Sequence, residues 1–336
     1  MGLFSRKSNG PATPSETQET AVTPPVRPRV GLALGSGVAR GWGHIGVLKA
    51  LHNLGFRPDV VAGSSVGALV GAAYLISRLD VLEEWTRDLT KLRIVRLLDF
   101  KMRSGGLVGG QKLVNEMLDH FGDVNIEELP IPFIAVATDL LTGHEVWLRK
   151  GSVVEAIRAS FSIPGIFKPA NIDGRWLVDG ALTNPLPVSI CRAMDCQCVI
   201  AVNLTGDMLG KNKTPDADIP SAAGFDLLPF MADAGMEDRL SMLDPFTKRI
   251  FKRENSREPS MFGVMTASLG IILDRITRQR LAGDPPDVHI APRLGHIGLL
   301  EFDRAAEAIA EGEAAVERAK PWLLDAMQLF NLQPRS

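Results

Sequence analysis

Ser65 stands at the centre of Gly63-Ser64-Ser65-Val66-Gly67, a G-x-S-x-G pattern. Between a strand and a helix this pattern makes a sharp elbow, with small residues on either side lifting the serine hydroxyl clear of the backbone. Ser65 is therefore a candidate nucleophile. Tight turns use the same residue types, so the pentapeptide alone is a weak signal. Its surroundings are less common: an apolar run before it, an apolar helix-forming stretch after it, and a glycine loop carrying Arg40 on the neighbouring strand. Acyl transfer by a serine needs donors aimed at the developing oxyanion, and a loop running into a helix N-terminus presents backbone N–H groups for that purpose.

A serine nucleophile also needs a base. Histidine is the usual one, and His120, His144, His289 and His296 all follow Ser65 in the chain. An α/β-hydrolase, however, has further strands before its elbow, whereas here one strand and its loop precede the elbow strand. The other candidate is Asp179, which an apolar strand delivers into a turn of small residues in Trp176-Leu177-Val178-Asp179-Gly180-Ala181. A carboxylate can act as a weaker general base if it lies within hydrogen-bond reach of the hydroxyl. Asp-Gly is also a common turn pair, and only Ser65 raises Asp179 above that reading.

The stretch from 29 to 46, RVGLALGSGVARGWGHIG, offers a competing chemistry. Gly41, Gly43 and Gly46 match the dinucleotide fingerprint G-x-G-x-x-G, which needs its first glycine at a strand end and an acidic residue closing the second strand. Neither condition holds. In the frame that follows the strand, Arg40 occupies the third glycine's place; in the matching frame the glycines fall inside a helix, where Gly43 and Gly46 would let it pack closely on the sheet. Asp59 opens the second strand instead of closing it, so a nicotinamide-dependent oxidoreductase is set aside.

These residues need a scaffold, and the hydrophobic pattern supplies one. Strands are predicted at Val30–Leu34, Asp59–Ala62, Phe133–Ala137, Val146–Leu148, Trp176–Val178, Cys198–Leu204 and Val288–Ala291. Helices are predicted at Gly41–Leu54, Ser65–Ser77, Val153–Ala159 and Arg304–Met327, the last with a break near Pro321. Such alternation describes a mainly parallel sheet covered on both faces. The first 28 residues, rich in Pro, Thr, Ser and Glu, read as a disordered tail, and 329–336 as a C-terminal tail. Between them, 29–328 form one domain, with an insertion or lid at 207–260 where polarity rises and periodicity is lost.

With 336 residues, 45% of them apolar, the chain can bury one large core or two modest ones. A net charge of -2 gives no general argument for nucleic acid. Cys191, Cys196 and Cys198 lack zinc-site spacing and fit a reducing, cytoplasmic compartment. No window reaches the roughly 18 apolar residues of a membrane span. Met261–Leu273 reads as an amphipathic core helix with a basic end, the sharper alternative being a helix resting on lipid. Ser104–Gly110 reads as a loop beside the site, and Asp139 and Glu145 as solvated residues flanking a turn.

Four blocks in fixed order carry a resemblance to the patatin-like phospholipase family: Gly35-Ser36-Gly37-Val38-Ala39-Arg40-Gly41, Gly63-Ser64-Ser65-Val66-Gly67, the stretch Ala159–Pro169, and Asp179-Gly180-Ala181. It spans Val30 to Leu204, and beyond it Pro259–Met265 and Asp274–Thr277 resemble a bacterial subgroup related to neuropathy target esterase. The resemblance implies a three-layer α/β/α patatin-like fold and hydrolysis of lipid acyl esters, lysophospholipids especially, by a Ser-Asp dyad. It implies no metal in many members and a lipid ester as partner; no cofactor is expected, and the cytoplasmic reading rests on the cysteines, with peripheral membrane contact as the alternative that Met261–Leu273 raises. By position, Ser65 resembles the nucleophile, Asp179 the proton acceptor, and the N–H groups near Gly37 and Val38 the oxyanion hole. Arg40 matches the family's Lys/Arg, which fixes the loop. Where the family often has three glycines, this chain has Ser36, Gly37 and Val38, and valine tolerates positive φ poorly. A non-catalytic lipid-binding or regulatory adaptor retaining the fold is the alternative.

Overall fold

The computed structural model describes residues 27–97, 121–207, 261–298 and 301–335, together with Lys112, Asn115, Glu116 and Asp119. The Ser104–Gly110 loop, His120, most of the predicted N-terminal tail and all of the predicted insertion after Asp207 lie outside the described residues. The strands are β1 (Val30–Leu34), β2 (Val60–Ser64), β3 (Phe133–Asp139), β4 (Glu145–Leu148), β5 (Ala170–Ile172), β6 (Arg175–Asp179), β7 (Cys198–Val202) and β8 (Val288–Ile290). They form one sheet in the order β5-β6-β3-β2-β1-β7-β8, with β4 also on β3. Pairing is parallel from β3 through β2, β1 and β7 to β8, and antiparallel among β3, β4, β5 and β6.

Strand residues alternate between two cores, as a pleat buried on both faces requires. Leu32, Leu34, Val61, Phe133, Ile200 and Val202 point into the larger one, against α1 (Gly43–Asn53), α2 (Val66–Leu75), α5 (Val153–Ser160) and α8 (Ala305–Leu329). Ala33, Val60, Ala62, Ile134 and Val199 point into the smaller one, against α6 (Val188–Ala193). Two shorter helices, α3 (Leu79–Arg87) and α4 (Lys91–Leu97), follow α2. The sheet is thus sandwiched between helices, the three-layer arrangement the sequence predicts.

Several local expectations are corrected. The glycines of α1 serve a helix pair rather than the sheet: a Cβ on Gly46 would lie 1.9 Å from the Ile309 carbonyl oxygen, and one on Gly312 would lie 2.1 Å from that of Gly43. The backbones of α1 and α8 therefore touch. No break occurs at Pro321, because a continuous stripe from Ala308 through Val316 to Leu323 and Ala326 is buried on both sides of it. That burial outweighs the roughly 3 kcal/mol of an interior proline. β3 runs two residues further than expected because β6 pairs with its end. The helix α7 (Met261–Gly283) is not a plain core helix: Val264, Met265 and Ile272 remain about half exposed. The C-terminal residues after α8 fold back, where Arg335 joins Arg27 in pairing with Asp59.

Candidate active site

Strand β3 brings the elbow and the carboxylate together. Its residues 135–138 pair with β4 along one edge, so β2 and β6 must share the other. On that edge Val136 pairs with Ser64 and the next residue, Ala137, pairs with Asp179. The chain then leaves β2 through Ser65 at φ 56°, ψ -124°, and enters α2. This is a strained conformation for a non-glycine residue, and it turns the side chain out of the sheet. Ser65 Oγ lies 2.7 Å from Asp179 Oδ2 and donates to it, while the Ser65 N–H donates to Ser160 Oγ at 2.8 Å.

Asp179 is clamped at every polar atom. Its Oδ1 accepts the Ala181 N–H at 2.8 Å, its N–H donates to the Ser162 carbonyl, and its carbonyl accepts the Thr138 hydroxyl. Gly180 follows because a Cβ there would lie 2.1 Å from the Val136 carbonyl oxygen. Burial pushes the Asp179 carboxyl up to about 7, against the hydrogen bonds from Ser65 and Ala181, which favour its charged form. It can therefore exchange a proton near neutrality, which an exposed aspartate cannot.

The glycine loop is tied down on three sides. The Gly35 and Ser36 N–H groups donate to the carbonyls of Val202 and Pro185, and Arg40 Nε donates to the Leu294 carbonyl at 3.0 Å. His44 Nε2 lies 2.7 Å from the Gly35 carbonyl oxygen, so Nε2 carries the proton; burial pushes this histidine down to about 4 and keeps it neutral. Gly41 packs directly on Val66 of the elbow. Val38 adopts φ 52°, and its N–H and that of Gly37 meet no acceptor among the described residues. Loop, Ser65 and Asp179 line one cavity of about 380 Å³ with Ile163–Ile166 and one face of α7. Burial lowers the buried Arg40 to about 10, opposed by Asp207 and Glu301, so it stays charged.

A family model described as patatin-like phospholipase matches residues 32–192. NTE family proteins of Mycobacterium bovis and Mycobacterium tuberculosis are 37% identical over 328 residues, spanning 87% of this chain and 91% of theirs. The chain belongs to the NTE family of patatin-like proteins. The neuropathy target esterase of Drosophila melanogaster is 34% identical over 182 residues, 52% of this chain and 13% of that protein. Among solved structures, VipD from Legionella pneumophila aligns over 90% of this chain and 67% of its own at 11% identity and a TM-score of 0.42.

In this NTE-family chain the elbow, the glycine loop and Asp179 converge, and the histidine candidates that are described lie elsewhere. No histidine lines the cavity among the described residues; His296 pairs with Glu307, and His289 is on β8, across β7 and β1 from β2. Asp139 and Glu145 do not pair, nor is Asp139 solvated. It is buried, and donors from Thr142, Arg175 and Leu141 hold its carboxyl well below the usual range. Burial raises all three cysteine thiols, leaving them poor nucleophiles. The roles of Ser160, Thr138 and His44, which hold the site in place, escaped sequence reasoning: Ser160 falls inside the Ala159–Pro169 block, but neither it nor the threonine and the histidine announce a partner until the strands pair.

Proposed function

We propose that this protein is a serine acyl hydrolase acting on lipid esters, (lyso)phospholipids in particular, through a Ser65–Asp179 dyad. Membership of the family supports lipid ester hydrolysis in general, and the 2.7 Å contact between Ser65 Oγ and Asp179 Oδ2 carries the finer reading. Ser65 Oγ attacks the ester carbonyl carbon as its proton passes to Asp179, and the carbonyl π electrons move to oxygen. The N–H groups of Gly37 and Val38 hold that oxyanion, a role supported by their meeting no other acceptor among the described residues. Collapse of the tetrahedral intermediate expels the alcohol, which takes the proton from Asp179. Water then attacks the acyl-Ser65 ester with Asp179 again as proton acceptor, releasing the fatty acid and restoring the hydroxyl.

Lipid esters partition into bilayers, so peripheral contact with a membrane belongs to this reading. Leu140 and Leu141 are 57% and 93% exposed on the turn after β3, and Trp176 is 56% exposed beside them. They lie at the end of the sheet where β2 delivers Ser65. A second reading, a non-catalytic lipid-binding adaptor, draws on Val38, whose positive φ is unfavourable for a β-branched residue and lies in the loop that must hold the oxyanion. A fluorophosphonate probe separates the two. Labelling that maps to Ser65 and disappears in Ser65→Ala supports the hydrolase, and well-folded protein that resists labelling supports the adaptor.

A further inference from the structure

The cavity at Ser65 is lined by two unlike sets of side chains. Ser36, Arg40, Ser65, Asp179 and Thr205 are polar. Val264, Met265, Leu269 and Ile272 of α7, with Ile163 and Ile166, are aliphatic. Among the described residues, Ser268 is the polar side chain that α7 adds to this lining. A ligand with hydrogen-bonding groups along its length would leave them unsatisfied there, and an unsatisfied buried polar group is costly. Val264, Met265 and Ile272 keep about half of their surface exposed, so apolar area stands ready to be covered. The volume, about 380 Å³, is in the range of small-molecule sites.

Met265 crosses this space. A Cβ placed on Gly165 would lie 3.6 Å from Met265 Cε, so the side chain reaches across from α7 to the loop opposite. That loop turns at Gly165 with φ 80°, a conformation that favours glycine and keeps this wall free of a side chain. α7 lies outside residues 32–192, which the family model matches.

We infer that α7 forms the wall of a binding site for an unbranched alkyl chain whose polar end sits at Ser65, and that Met265 sets the length accepted. The inference shares the lipid ligand class of the proposed function but needs no turnover at Ser65, so the two can fail separately. The test is equilibrium binding of a homologous series of 1-alkanols to the full chain and to its Ser65→Ala, Met265→Ala and Ser268→Phe variants. Met265 and Ser268 are exposed, so neither change disturbs the core.

Affinity should rise up to roughly fourfold per added methylene until the cavity is filled, then level off. Met265→Ala should move the levelling point to longer chains, Ser268→Phe to shorter ones, and Ser65→Ala should leave it in place. Affinity independent of chain length, or the same levelling point in the Met265 and Ser268 variants, overturns the inference. If the levelling point moves as stated while fluorophosphonate leaves Ser65 unlabelled, the alkyl site stands and the hydrolase reading falls. Labelling at Ser65 with no movement of the levelling point gives the reverse result.

Discussion

In the proposed dyad, Asp179 is the residue at which burial turns into chemistry. Only its ionised form could accept the Ser65 proton, so the proposal predicts ester turnover that rises tenfold per pH unit below about 7 and flattens above it. A pH–rate profile measures this; a profile already flat at pH 5 would speak against Asp179 as base. Stability runs the other way. The folded state holds the proton more tightly than the unfolded chain, whose aspartate titrates at 3.8. This contribution is fully present below pH 3.8 and is lost as pH rises through about 7. Asp179→Asn should therefore raise the melting temperature relative to wild type at pH 8 and not at acid pH, while lowering kcat by about 10²–10⁴. As candidates, Ser65, Asp179 and Gly35–Gly41 with Arg40 were legible in the sequence because each sits in a short pattern whose residue types are dictated locally. The roles of Thr138 and of Ser160, which falls inside the Ala159–Pro169 block, were not, since their partners are 41 and 95 residues away and meet them only through the pairing of β2, β3 and β6.

At the scale of elements, the first strand was read to the residue, because four apolar residues and a glycine between Arg29 and Gly35 leave little choice. The amphipathic α3 and the short α4 and α6 went unread, as did β5, three residues long. Helix packing was the larger gap. Gly46 and Gly312 look like weak points in isolated helices, yet their lack of side chains lets α1 and α8 touch backbone to backbone. Gly46→Ala and Gly312→Ala should each destabilise the protein by about 1–3 kcal/mol in a denaturant titration. Fluorophosphonate labelling of whatever remains folded should be unchanged, because neither residue reaches the cavity. The α7 reading failed for a related reason: its helical period was right, but periodicity cannot say whether an apolar face meets packed side chains or open space.

For the molecule as a whole, the sheet assembles a site from segments more than a hundred residues apart, and β3 sets the geometry by carrying β2 and β6 on one edge. No helix among the described residues is long and apolar enough to cross a membrane. The proposed route to lipid is the exposed turn at the site's end of the sheet, where the Leu141 and Thr142 N–H groups donate to Asp139. Leu141→Asp should weaken sedimentation with phospholipid vesicles several-fold while leaving hydrolysis of a short soluble ester unchanged; equal vesicle binding would rule out contact through this turn. Whether Ser65 cleaves a lipid ester is decided by fatty-acid release from a lysophospholipid with wild type and Ser65→Ala purified side by side. Release by the wild type and none by the variant is expected; equal release from both, or none from a wild-type protein shown to be folded, would overturn the proposed hydrolase.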